Sequence, residues 1–334
     1  FIFSYRIFKI NVLNSNNNNF ILNLGVTMSS KRYPQDILVS CEIPWSDNEI
    51  LLDDIFRKEI QTSINNGFTN MYIFGTASEG YAVTNKQFKQ IAEIFWQETK
   101  LNANIKTMVG TIGMSTAQVV ERISIAYDIG FRMFQIPLPP WGTLNDNEYM
   151  TFFKDVCGNF SDCNFLHYNL IRSGRILLTE DYKRIQEAVP NLVATKFTNA
   201  SPSECYKLIT ETDLQHFLGE ENFAFGSLHG ECSLLSSFAA IAPNKIKNYF
   251  NYGKEKNYKE LFKLQLEISL AIKSFLNSAF EFKTMDGAYD KMFKKAAGID
   301  MPLKLLSPYE TIPLDVYNQS LKNLQSEYGE WLAT

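Results

Sequence analysis

From residue 37 onward the chain is built on one repeated alternation, and this constrains the fold more than any other feature. Short apolar runs rich in β-forming residues are separated by longer amphipathic runs. The candidate strands are "ILVSCEIP", "NMYIFG", "KTMVGT", "RMFQIPL", "NFLHYN", "LVATKFT", "QHFLGE" and "ECSLLSS". Three of the intervening stretches carry clear helix signals. "LLDDIFRKEIQTSINNG" ends at Gly67, a residue suited to a helix C-terminus. "STAQVVERISIAYDIG" opens on Ser115 or Thr116 as cap and closes on Gly130. "LTEDYKRIQEAV" is expected to start with a Thr179 cap and stops before Pro190. "ENFAFGSLHG" makes at most a short helix. Eight strands with seven intervening connections predict an α/β protein, a (β/α)8 TIM barrel. A doubly wound open sheet is the rival, but its G-x-G-x-x-G turn after the first strand is missing.

From about Asn244 the strands cease. "YKELFKLQLEISLAIKSFLNSAF", "YDKMFKKAAG" and "PLDVYNQSLKNLQSEYGEWLA" read as helices. The expected organisation is an extension over residues 1–30, a barrel over 31–245 and a helical region over 246–334 that packs on the barrel or on another subunit. The first 30 residues have no acidic side chain and contain an asparagine run. They are expected to be a disordered extension ahead of a start at Met28; a transit peptide is the alternative.

Composition excludes several classes of function. Of 334 residues, 45% are hydrophobic and 20% charged, as in soluble globular proteins. A net charge of −4 provides no basic footprint for nucleic acid. No apolar run is long enough to span a bilayer. The five cysteines form no zinc spacing and no CxxC pair, so reduced thiols and a cytoplasmic location are expected, with organellar import as the alternative. The three histidines are too scattered to suggest a metal cluster.

In a barrel, function belongs at the C-terminal ends of the strands. In "LVATKFT", period-two alternation puts Ala194, Lys196 and Thr198 on one face. Val193, Thr195 and Phe197 fall on the other, which suits the helix layer. Lys196 then points into the barrel mouth. Desolvation there is expected to lower its pKa and free a nucleophilic amine. The alternative is a lysine paired with a buried carboxylate or snorkelling to the rim. Tyr168 of "FLHYNL" faces inward in one of two registers. There it could shuttle protons for an imine-forming lysine, or serve only as a core tyrosine. The "GTASEG" turn, Gly75 to Gly80, exposes backbone N–H groups that can hold a carboxylate or phosphate, unless it is an ordinary βα turn. "IRSGR" supplies Arg172 and Arg175, either of which could meet a substrate carboxylate or remain in solvent.

The order and spacing of these pieces resemble the dihydrodipicolinate synthase and N-acetylneuraminate lyase family of class I aldolase-type lyases. "GTASEGYAVT" is similar to that family's "GTTGE…LT" segment, "HYNL" to "YNxP" and "ATKFTNAS" to "GxKEAS". "LGEENFAF" resembles "SGDD", and "HGECSLLSS" resembles "GVISVxAN". The resemblance covers roughly residues 37 to 245. It implies that Lys196 is the Schiff-base lysine, Tyr168 the catalytic tyrosine and Thr76 the first threonine of the carboxylate-gripping turn. It adds Gly75, Ala77, Arg172, Arg175, Trp141 and Glu220 as candidate substrate-binding residues. Departures accompany it: Ala77 replaces the second threonine, Ser78 a glycine, Ile171 a proline, and "PPW" with Trp141 replaces "PYY". An indole N–H donates but cannot relay a proton as a phenol does.

The resemblance therefore implies a Schiff-base aldolase or lyase acting on pyruvate or a related 2-oxo acid and possibly an aldehyde. The resemblance also implies that no metal and no organic cofactor are needed and that a homo-oligomer is expected. The alternatives are 4-hydroxy-tetrahydrodipicolinate synthase itself, a sugar-acid dehydratase of the same family, and a non-catalytic protein that binds a 2-oxo acid.

Overall fold

The computed structural model describes residues 32–197 and 201–332. The N-terminal extension, its start at Met28, and Thr198 lie outside the described residues. Eight strands form a closed, all-parallel barrel in chain order: β1 (Ile37–Ser40), β2 (Asn70–Ile73), β3 (Lys106–Gly110), β4 (Met133–Ile136), β5 (Asn164–Asn169), β6 (Leu192–Phe197), β7 (Gln215–Leu218) and β8 (Ser233–Leu235). Each lies within one of the eight apolar runs of the sequence. Helices α1 (Asp53–Asn65), α2 (Asn85–Thr99), α3 (Thr116–Ile129), α4 (Asp146–Gly158), α5 (Thr179–Ala188), α6 (Pro202–Glu211) and α7 (Glu220–Ser227) join successive strands, and α8 (Pro243–Lys254) follows β8. The remaining helices are α9 (Tyr258–Leu276), α10 (Asp286–Ala296) and α11 (Leu314–Tyr328). No helix among the described residues is long and apolar enough to cross a membrane.

Strand alternation divides the core in two. Leu38, Tyr72, Met108, Leu166, Tyr168, Ala194 and Phe217 pack together inside the barrel. Val39, Met71, Ile73, Val109, Phe134, Phe165 and Phe197 pack against the helices. One residue departs from the simple alternation. Phe165 pairs with Leu192 and Leu166 with Ala194, so Val193 sits at a register shift. Val193 packs with the interior cluster, not with the helix layer expected from its place in the sequence. Beyond the shift the alternation resumes: Lys196 lies opposite Tyr168, with Thr195 bonded outward to His216.

The helix ends follow local chemistry. The Ser115 hydroxyl accepts from the Gln118 amide at 3.3 Å and starts α3, and Gly130 closes it at φ 131°. Gly67 takes φ 81° just beyond α1. Thr179 is not the cap of α5. Leu178 holds that place, and Thr179 is the first helical residue, donating its N–H and hydroxyl to Glu204.

Helix α10 packs on the barrel mouth. Residues 287 and 291, and 286, 290 and 294, recur every four positions and so share a face. Lys291 pairs with Glu79 at 2.6 Å and Lys294 with Glu59 at 2.8 Å, all four side chains buried. Lys294 also donates to the Ser40 carbonyl at 2.7 Å. A Cβ on Gly287 would lie 2.5 Å from the Ala77 carbonyl oxygen, so the helix start approaches the β2–α2 turn as only glycine allows.

Candidate active site

The Gly75–Gly80 turn follows β2 and is held in an unusual shape. Phe74 and Glu79 adopt φ 61° and 54°, a left-handed region costing roughly 1–3 kcal/mol for such residues. The Glu79 carboxylate holds the strained form: it accepts from Trp45 Nε1 at 3.0 Å, Lys291 Nζ at 2.6 Å and the Leu306 amide at 2.7 Å. The Gly80 amide donates back to the Gly75 carbonyl at 3.1 Å. Between them, the amides of Thr76, Ala77 and Ser78 have no acceptor among the described residues. Unpaired backbone N–H groups at a strand end are donors that a carboxylate or phosphate can use.

Lys196 is buried at the same end of the barrel, 3% exposed. Its Nζ donates to the Tyr72 hydroxyl at 3.0 Å and lies 3.9 Å from the centre of the Tyr168 ring. Burial disfavours the ammonium, as the sequence reading expected. Here, however, Tyr168, Tyr72 and Asp286 outweigh it, and the Lys196 pKa is raised, not lowered. Burial likewise pushes the Tyr72 phenol up to about 12.

From Tyr168 the contacts lead through Thr76 toward α10. The Tyr168 and Thr76 hydroxyls are 3.0 Å apart, and either can be the donor. The Thr76 hydroxyl also favours the ionised form of the Asp286 carboxylate. Arg172 grips Asp286 with two bonds of 3.0 and 2.9 Å. Burial raises the Asp286 pKa, but Arg172, Thr76 and Lys196 together hold it below its usual value.

A cleft of 240 Å³ opens beside these contacts, and Thr76, Tyr81, Arg172, Ser173 and Tyr309 contribute to its lining. Thr76 and Arg172 thus meet the cleft, while Tyr168 and Lys196 lie one and two contacts behind Thr76. Gly75 and Ala77 lie in the turn. The other three candidates point elsewhere. Arg175 donates to the Leu144 carbonyl and Asp146, stacks over Tyr149 and pairs with Asp181 at 3.6 Å, tying α4 to α5. Glu220 Oε1 accepts from the Ser236 hydroxyl and the Ser237 and Phe238 amides, fixing the segment after β8. Trp141 is 87% exposed and borders a separate groove with Met114 and Pro139.

Tyr72 and Asp286 were not among the candidates. Alternation in "NMYI" does place Tyr72 with Asn70 on the inward face. For Asp286 the available signal was the i, i+4 row of charged residues in α10. His167 and His216 are buried separately, against Tyr182 and Thr195. Among the described residues no group of three or more His, Cys, Asp or Glu is placed to hold a metal ion.

Known proteins agree with this architecture. The N-acetylneuraminate lyase of Shigella boydii is 22% identical over 238 residues, covering 71% of this chain and 80% of that protein. The structure of the Proteus mirabilis N-acetylneuraminate lyase superposes with a TM-score of 0.77 at 15% identity, covering 88% of this chain and 98% of that one. An E. coli prophage protein of the dihydrodipicolinic acid synthase family, solved in complex with pyruvate, superposes with a TM-score of 0.78 at 15% identity over 87% of this chain and 98% of that one. The description of the dihydrodipicolinate synthetase family as a whole matches residues 34–326, from before β1 to within α11, and the chain belongs to that family.

Proposed function

We propose that the chain is a class I aldolase-type lyase that forms a Schiff base between Lys196 and pyruvate or a related 2-oxo acid. The observation that carries this reading is an amine buried at the barrel mouth, 3.9 Å from the Tyr168 ring and bonded to a second phenol. The lyases among the relatives and the pyruvate complex among the structural neighbours support it.

In this reading the substrate carboxylate is held at the Gly75–Gly80 turn, where Thr76 meets the cleft, and C2 is the atom that Lys196 attacks. The raised pKa makes the resting side chain an ammonium, so it first loses a proton to solvent. The neutral amine then adds to C2. Tyr168 supplies a proton to the carbinolamine hydroxyl, which leaves as water, and the C2–N imine forms. The same neighbours that favour the ammonium, Tyr72, Tyr168 and Asp286, favour the protonated imine. That cation draws electrons from C3, so a C3 proton is lost to give an enamine, or the C3–C4 bond breaks to the same enamine.

Borohydride reduction in the presence of pyruvate tests this directly. The expected product is a stable adduct on the peptide containing Lys196, absent in Lys196→Ala. No adduct at Lys196 with any of a panel of 2-oxo acids overturns the reading.

A further inference from the structure

The cleft that Thr76 and Arg172 line, beside the Tyr168–Lys196 pair, limits what the enamine can meet. We infer that the partner of the 2-oxo acid is an uncharged aldehyde with a largely apolar body. This rests on the Schiff-base reading and goes beyond it by naming the second substrate's class.

Two observations carry the inference. The first is the wall: Ile112, Pro137, Leu138, Pro140, Leu170 and Met285 supply most of the lining. Such a surface leaves the hydroxyls of a polyol without partners, and each buried unpaired group is costly. The second is charge. Among the described lining residues Arg172 is the one cation, and both of its terminal nitrogens are engaged by Asp286. A carboxylate on the aldehyde would find that guanidinium already matched and would face Asp286 as a like charge. Tyr81 and Tyr309 meet edge to face at 4.7 Å and close one side of the cleft.

In the condensing direction the enamine C3 attacks the aldehyde carbon. The new C3–C4 bond takes the enamine electron pair, and the carbonyl π pair moves to oxygen, which accepts a proton. Water then hydrolyses the imine, returning Lys196 and releasing a 4-hydroxy-2-oxo acid with an apolar substituent on C4. Cleavage runs the same steps backward.

The test compares pentanal with succinic semialdehyde, which adds a carboxylate to a similar chain, and with erythrose, each with pyruvate and the full-length protein. The expected kcat/KM for pentanal exceeds that for each of the others at least tenfold. Asp286→Asn removes the charge that occupies Arg172, so the ratio of succinic semialdehyde to pentanal should rise at least fivefold, whatever the variant's absolute rate. For an aldehyde that does not condense, inhibition of hydrogen exchange at C3 of pyruvate gives the same ranking. Equal or better use of succinic semialdehyde or erythrose by the unmodified protein overturns the inference, as does failure of every aldehyde to react or inhibit at millimolar concentration. Loss of the Lys196 adduct itself is a separate result, which would reject the Schiff-base reading.

Discussion

At the scale of the residue, the behaviour of Lys196 is set by what lies within 4 Å of it. Burial alone would release its proton. The Tyr72 hydroxyl at 3.0 Å and the Tyr168 ring at 3.9 Å reverse the balance and raise the pKa. Attack on a carbonyl needs the neutral amine, so the trapping rate should climb as pH rises toward the lysine's pKa. Tyr72→Phe deletes an acceptor that favours the ammonium. The pKa should fall, and the rising limb of the pH–rate profile for borohydride trapping should move to lower pH. A limb that stays in place, or moves upward, contradicts the role given to Tyr72. Tyr168→Phe keeps the ring over Nζ but removes the proton donor to the carbinolamine. Its kcat is expected to fall about 10²–10⁴-fold, as for loss of a general acid, with a smaller change in KM. Steady-state kinetics separates the two. Lys196 was legible in the sequence because alternation in β6 sets its direction; alternation left two registers open for Tyr168, and Thr76, in the turn after β2, came only from the family resemblance. Arg175, Glu220 and Trp141 lie in loops or at a helix start, where no period dictates direction. Each of those three points away from the cleft.

At the scale of the element, α10 is the piece that completes the site. Its four-residue spacing sets Asp286 beside Thr76 and Arg172, Lys291 on Glu79, and Lys294 on Glu59. A helix docked by buried charges has a defined rotation, because sliding or turning it would strand carboxylates without cations. Burying such pairs is costly, and breaking one is costlier. Lys291→Met leaves Glu79 buried beside a thioether, and a loss of about 3–5 kcal/mol is expected, read from urea unfolding. Glu79 holds a left-handed backbone in the Gly75–Gly80 turn, so the surviving folded fraction should also bind pyruvate more weakly. Gly287→Ala is a subtler probe. The new methyl would meet the Ala77 carbonyl at 2.5 Å, so helix and turn must part. A stability loss of about 1–3 kcal/mol is typical of such overpacking, and the rise in KM for pyruvate should exceed the fall in kcat. In the sequence, α10 read as one more C-terminal helix. Its role was not legible, because the partners of Asp286 and Lys291 come from β2 and β5 loops far along the chain, and a single helix pattern does not identify them.

At the scale of the whole molecule, the barrel was readable because eight apolar runs, each ended by turn residues, leave few closed arrangements. The shift at Val193 was not, since a one-residue irregularity depends on how β5 and β6 meet and leaves no mark in either run alone. The same closed core has a consequence for acid stability. His167 on β5 and His216 on β7 lie under the helix layer, and burial pushes each pKa down from 6.5 to about 3. Burial pushes the Glu42 carboxyl the other way, from 4.5 up to about 7. A depressed histidine stabilises the fold above its unfolded pKa and loses that contribution as pH falls. A raised carboxyl stabilises below its unfolded pKa and loses that contribution as pH rises through 7. Between pH 6.5 and 4.5 the unfolded chain gains two histidine protons that the folded chain does not, which lowers stability on acidification, while Glu42, Glu59, Glu220 and Asp290, all raised by burial, act in the opposite sense. The histidine contribution is therefore read as a difference between variants. His167→Phe, which fills the same space without a titrating ring, should reduce the loss of stability on acidification by about 1.4 kcal/mol per pH unit relative to the unmodified protein, measured by urea unfolding between pH 6.5 and 4.5. NMR of the folded protein supplies a separate check. The His167 and His216 rings should stay neutral down to pH 4.5, and either one titrating near pH 6 would contradict the account.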